Sequence, residues 1–205
     1  MADTHKLEFA APEAWRGGHY ELEIVPRIRS SKDVCALLSA IWSCPILDGP
    51  YPHNDCDPSN QARSKPCEAG FDSRLYGLAE FPSKGAIPCG SYAIASKGED
   101  DLPPFHWAGL YLPLCSLSQS FDIGAYPFGP MTGVPQWRAE VDEFLFSVAQ
   151  WVFERVPFDF GMIGFEIDGS VTPEGILDGG IPSERPDGIL CNENGVLHWH
   201  SPNRA

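Results

Sequence analysis

Tyr20-Glu21-Leu22-Glu23-Ile24 alternates apolar and acidic side chains, and the alternation runs on toward Ile28. Successive side chains of a strand point to opposite faces, so Tyr20, Leu22 and Ile24 share one face and Glu21 and Glu23 the other. The stretch predicts a half-buried strand with its glutamates toward solvent. It decides the fold class, because later segments have to cover its apolar side.

The next segment is suited to that task. Ser30 and Asp33 have the spacing of a capping box, which predicts a helix start. Val34, Leu37, Leu38, Ile41 and Trp42 then follow at helical spacing, one apolar stripe for a sheet to receive, and Cys44-Pro45 ends the helix. Residues 48–72 are rich in Pro, Gly, Asn, Asp and Ser and read as a long loop or insertion. Three strands follow, at 74–81, 87–96 and 105–112, the first two joined by the turn Pro82-Ser83-Lys84-Gly85. Residues 116–134 read as irregular. A second helix starts near Pro135 with Trp137, Val141, Phe144, Leu145, Val148 and Val152 inward, and Val156-Pro157 stops it.

Phe158 to Ile167 is a dense apolar strand, expected near the centre of the sheet. Thr172-Pro173-Glu174 starts a short helical turn that Gly179-Gly180 ends. Asn194-Gly195 between 189–193 and 196–200 is a strong hairpin signal. The order β-α-β-β-β-α-β, then a helical turn and a hairpin, has too few helices for a doubly wound parallel sheet. It predicts one α+β domain over 1–205, with an antiparallel or mixed sheet, two main helices on one face and a C-terminal β-hairpin.

Composition narrows the partners. The 205 residues carry 14 Lys+Arg against 28 Asp+Glu, a net charge of -14, and no window is basic. Nucleic acid and anionic membranes are therefore disfavoured, and a cationic partner is favoured. Hydrophobic residues at 43% exclude a disordered acidic chain. The first 30 residues show no signal-peptide pattern and no apolar run is long enough to span a bilayer. With seven scattered cysteines, the expectation is reduced thiols in a cytoplasm.

Candidate chemistry is sparse. His198 and His200 flank Trp199 on a strand and share a face, half of a metal site with no third ligand in view. His53, Cys56 and Cys67 in the long loop have zinc-compatible donors without knuckle spacing. Glu166 and Asp168 are paired carboxylates at a strand end. Cys89 with a later His106 is the only nucleophile arrangement, and it needs spatial adjacency. Arg185, between Glu184 and Asp187, is expected to order the 179–188 crossing through a local ion pair. No metal and no cofactor is expected.

Asp55-Cys56-Asp57 and Glu99-Asp100-Asp101 read as solvated acidic loops open to a partner, with Trp107 as an aromatic anchor nearby. On these residues the chain resembles, in type, the bacterial immunity proteins that neutralise secreted or polymorphic toxins. No family motif is matched, so no functional residue carries over. The resemblance implies a non-enzymatic protein that occludes the active site of a basic toxin domain, with Asp55, Asp57, Glu99, Asp100, Asp101 and Trp107 as contacts. The alternatives are an enzyme, with 48–72 as a lid and His106, Glu166 or His198 as acid–base group, and a structural subunit using Phe146, Trp151 and Phe153 as an oligomer surface.

Overall fold

The computed structural model describes residues 9–26, 30–67, 74–95, 106–123, 135–167 and 173–204. Its strands are β1 (His19–Pro26), β2 (Leu47–Tyr51), β3 (Leu75–Phe81), β4 (Gly85–Ala95), β5 (His106–Pro113), β6 (Phe158–Phe165), β7 (Gly188–Glu193) and β8 (Val196–His200). Its helices are α1 (Ser31–Trp42), α2 (Leu114–Ser120), α3 (Gln136–Arg155) and α4 (Pro173–Gly179). The strands form one sheet in the order β2-β3-β4-β5-β1-β6-β7-β8, with every neighbouring pair antiparallel. The fold is α+β, as the strand and helix order predicts.

The inner face of the sheet carries the main core. Tyr20, Leu22 and Ile24 join Val34, Leu37 and Ile41 of α1 and Val141, Leu145 and Val148 of α3 in one buried cluster. Helix α1 begins as its capping spacing predicts, with the Ser30 hydroxyl accepting from the Asp33 amide at 3.3 Å. The expected oligomer surface on α3 is used within the chain. Phe146 stacks on Trp199, Phe153 packs edge-on to Phe158, and the Trp151 indole donates to Ser43.

Two elements went unforeseen. The segment 48–72 is entered by an edge strand, since β2 pairs with β3. Leu-Asp-Gly-Pro-Tyr has too many breakers to read as a strand, but an edge tolerates a proline that an interior strand would not. Helix α2 lies where irregular chain is expected; its seven residues are too few to show a period, yet Leu114 and Leu117 are buried.

The cysteine expectation is corrected as well. Cys35 and Cys67 form a disulfide, with Cα atoms 5.8 Å apart. Cys35 lies off the apolar stripe of α1, and the chain returning from β2 brings Cys67 against it. An odd count conceals one pair among seven, and five described thiols remain free. Among the described residues, no helix is long and apolar enough to cross a membrane.

Candidate functional site

The outer face of the sheet departs most from expectation. Glu21 and Glu23 do not face solvent; they are 6% and 5% exposed. Two apolar clusters flank them. On one side Phe9, Tyr51 and Leu78 pack with Trp15 and Tyr76. On the other, Val25, Trp107, Phe160, Met162 and Ile189 pack with Ile176 and Ile181 around α4.

Between these clusters, strands β4, β5, β1 and β6 align two rows of residues. One row is Gly90, Tyr111, Glu21, Gly164 and the next is Tyr92, Gly109, Glu23, Met162. Each tyrosine faces the glycine of the adjacent strand. A Cβ on Gly90 would overlap the Tyr111 ring, and one on Gly109 would overlap the Tyr92 ring. The glycines therefore let both rings lie across the sheet. Tyr92 gains a reach that a perpendicular side chain would lack, and its hydroxyl arrives at β1, two strands away.

There the Tyr92 hydroxyl lies 2.8 Å from Glu21 Oε2 and 2.5 Å from Glu23 Oε1. A phenol has one proton to donate. Two hydrogen bonds among these three groups therefore require a second proton, carried by a carboxyl. Glu21 is its natural holder: burial, then the charge of Glu23, push its carboxyl up to about 7. Glu21 Oε1 accepts from the Ile167 amide at 2.9 Å, which leaves Oε2 to donate to Tyr92. Tyr92 in turn donates to Glu23, and burial beside two acids raises its own phenol far above the ordinary range.

The open end of this strip is lined by His19, Arg74 and Glu166. The His19 ring lies 4.5 Å from the Tyr111 ring, and the Arg74 guanidinium carbon lies 5.8 Å from that ring's centroid. Burial, then Arg74, lower the His19 pKa, while Glu166 opposes them. Glu166 leaves the strand with a φ of 42°, held by its amide bond to the His19 carbonyl.

One residue before Glu21, Tyr20 points inward and anchors a second polar cluster. Its hydroxyl donates to Asp142 Oδ1 at 2.5 Å and accepts from Arg138 Nε at 2.6 Å. Arg138 also donates to the Pro186 carbonyl and lies 3.6 Å from Asp187. Burial outweighs both the Tyr20 bond and the Arg138 charge and pushes the Asp142 carboxyl up to about 6. Every polar group named here has a partner, so this cluster ties α3 to the crossing before β7.

The residues singled out from sequence do not converge. Glu166 lies at the His19 end of β1, whereas His106 lies level with the Pro26 end, roughly 23 Å away by strand rise. His198 is three strands from β1, roughly 14 Å across the sheet. His198 and His200 each approach Glu193 at 3.9 Å, and among the described residues no group of three donors is placed to hold a metal ion. Cys67 is taken by its disulfide, so His53, Cys56 and Cys67 are no donor set. Cys89 is fully buried with its thiol pushed far up by burial, which removes it as a nucleophile. Asp168, Glu99, Asp100 and Asp101 lie outside the described residues.

Asp55 is exposed, and Asp57 caps the 3-10 turn Pro58–Asn60 through the Ser59 amide at 2.7 Å. Trp107 is 8% exposed and packs in the outer-face cluster around Val25. Arg185 orders its crossing by a different route from the one expected. It donates to the carbonyls of Pro182 and Ser201, while Asp187 lies beside Arg138 and Glu184 beside Arg204. The outer-face strip had one signal in the sequence: the matched triplets Gly90-Ser91-Tyr92 and Gly109-Leu110-Tyr111 in consecutive strands.

No protein-family model, no curated protein and no solved structure matches the chain.

Proposed function

We propose that this is a non-enzymatic binding protein of the immunity type, which neutralises a cationic toxin domain by covering its active site. The observation that carries the reading is the state of the loop that holds Asp55 and Asp57. Residues 52–67 bury only Pro58, yet the loop is held in one shape. Gln61 bonds the His53 and Cys56 carbonyls and accepts from the His53 amide. Arg63 bonds the Gly49 carbonyl and Asp48. The Ser64 amide donates to the Pro50 carbonyl, and Cys67 is tied to Cys35. An ordered, exposed loop with almost no part in the core presents Asp55 and Asp57 without the usual entropic cost of ordering on binding. The net charge of -14 would speed encounter with a basic surface.

Glu99, Asp100 and Asp101 belong to the same reading as further acidic contacts, with the cytoplasm as its setting, whereas Trp107 is buried at 8% exposure. The test is co-expression with a toxin encoded beside the gene. Rescue of growth by the wild type, weakened by the Asp55→Asn/Asp57→Asn double variant, supports the proposal. Absence of both rescue and a complex overturns it.

A second reading, an enzyme, draws on Glu21. A carboxylic acid kept protonated near neutral pH is what a general acid requires. Turnover of any substrate abolished by Glu21→Gln would favour it over binding.

A further inference from the structure

We infer that the Cys35–Cys67 disulfide is a redox latch on the loop that carries Asp55 and Asp57, closed in the binding form and opened by low-molecular-weight thiols. The inference rests on the binding reading above and on its cytoplasmic setting for its consequence, while the exchange chemistry stands apart from both. Disulfides in a thiol-rich cytoplasm are usually transient and redox-sensing, so a bridge in that setting is more than a staple.

Three observations bear on the latch. The bridge joins the exposed side of α1 to the far end of the loop, and both cysteines are partly exposed, within reach of a small thiol. The ties that remain on opening include the Arg63 and Ser64 bonds to the Gly49 and Pro50 carbonyls at the base of the loop. The Arg63–Asp48 pair is solvent-exposed, with side chains 61% and 37% accessible, where such pairs contribute little. The Gln61 bonds are internal to the loop and fasten it to nothing else. Finally, of the five free cysteines Cys44 and Cys89 are buried and burial raises both, which leaves Cys56, Cys115 and Cys191 partly exposed.

The opening reaction is thiol–disulfide exchange. A thiolate attacks one sulfur, forms a mixed disulfide and releases the other cysteine as a thiolate that takes a proton. A second thiol resolves the mixed disulfide. The products are two cysteine thiols and the oxidised form of the attacking thiol.

Limited trypsin digestion of the full chain tests the latch without a partner, because Arg63-Ser64 offers a cleavage site inside the loop. Protein oxidised with glutathione disulfide should resist cleavage there. Dithiothreitol-reduced wild type and Cys35→Ser should be cut at least tenfold faster, Cys56→Ser should behave as wild type, and reoxidation should restore protection. Equal rates in both states, or no linked Cys35–Cys67 peptide by mass spectrometry after oxidation, would overturn the inference. A lysine-rich peptide serves as a separate binding probe. If its binding ignores Asp55→Asn/Asp57→Asn while cleavage still follows redox state, the binding reading fails and the latch stands.

Discussion

Tyr92 stands directly across from Gly109, and its ring fills the space that a side chain at 109 would need. A strand glycine normally weakens a sheet, so alanine there would be expected to help by about 0.5–1 kcal/mol. Here the overlap reverses the sign. Gly109→Ala should destabilise by about 1–3 kcal/mol, the usual range for overpacking. Urea unfolding of the single variant and of Gly109→Ala in a Tyr92→Ala background measures it. The penalty should vanish once the ring is gone, and a penalty that persists would place the glycine's role elsewhere.

The shared proton gives stability a pH slope. Glu21 has an ordinary value of 4.5 and is pushed up to about 7, so the folded state holds a proton that the unfolded chain has released. Its stabilising contribution is complete below pH 4.5 and is lost as pH rises through about 7, roughly 3 kcal/mol over that window. Asp142, pushed up from 3.8 to about 6, adds a slope of the same sign at lower pH. Glutamine at 21 can donate to Tyr92 and accept from the Ile167 amide, as the protonated acid does. Glu21→Gln should therefore flatten the slope between pH 5 and about 7.5 and match or exceed wild type at pH 8. A slope unchanged in this variant would assign the proton to another group.

Arg138 is the cation of the inner cluster. Removing it takes the cation from Asp142, which keeps only its Tyr20 bond, and the donor from the Pro186 carbonyl in buried surroundings, which costs about 3–5 kcal/mol. Arg138→Met should lower the thermal midpoint strongly, and Asp142→Asn added to it should recover part of the loss. Additive losses in the double variant would show that the two side chains are not coupled.

Arg185 bridges two carbonyls from a half-buried position. Arg185→Ala should cost only about 1 kcal/mol globally. Its effect should be local: faster amide exchange at Asn203 and Arg204, whose N–H groups donate to the Arg185 carbonyl. Unchanged exchange there would mean that the side chain does not hold the crossing.

What could be read in advance was local. The Ser30–Asp33 cap, the apolar stripes of α1 and α3 and the Asn194-Gly195 turn each depend on a few neighbouring residues. Asn194 and Gly195 do adopt positive φ values of 55° and 86°. The outer-face strip was not legible because strand alternation records polarity and not burial. Glu21 and Glu23 look like solvent-facing residues until β4 and β5 place tyrosines over them, and those tyrosines reach only because glycines lie opposite. The disulfide was hidden for a related reason, since Cys35 and Cys67 meet only after β2 has turned the chain back.

The place of β1 in the sheet sets an order of events during synthesis. Among the described residues it is the first strand in chain order, yet Leu22 pairs with Leu110 on one side and Ile163 on the other. Its first partner leaves the ribosome long after β1 itself, and its second only after α3. Until Ile163 appears, the strand carrying both glutamates has one edge bare and its tyrosine bridge unsupported on that side. A nascent chain halted between these two points would expose an apolar, unpaired edge, the form most open to capture by chaperones or by another copy.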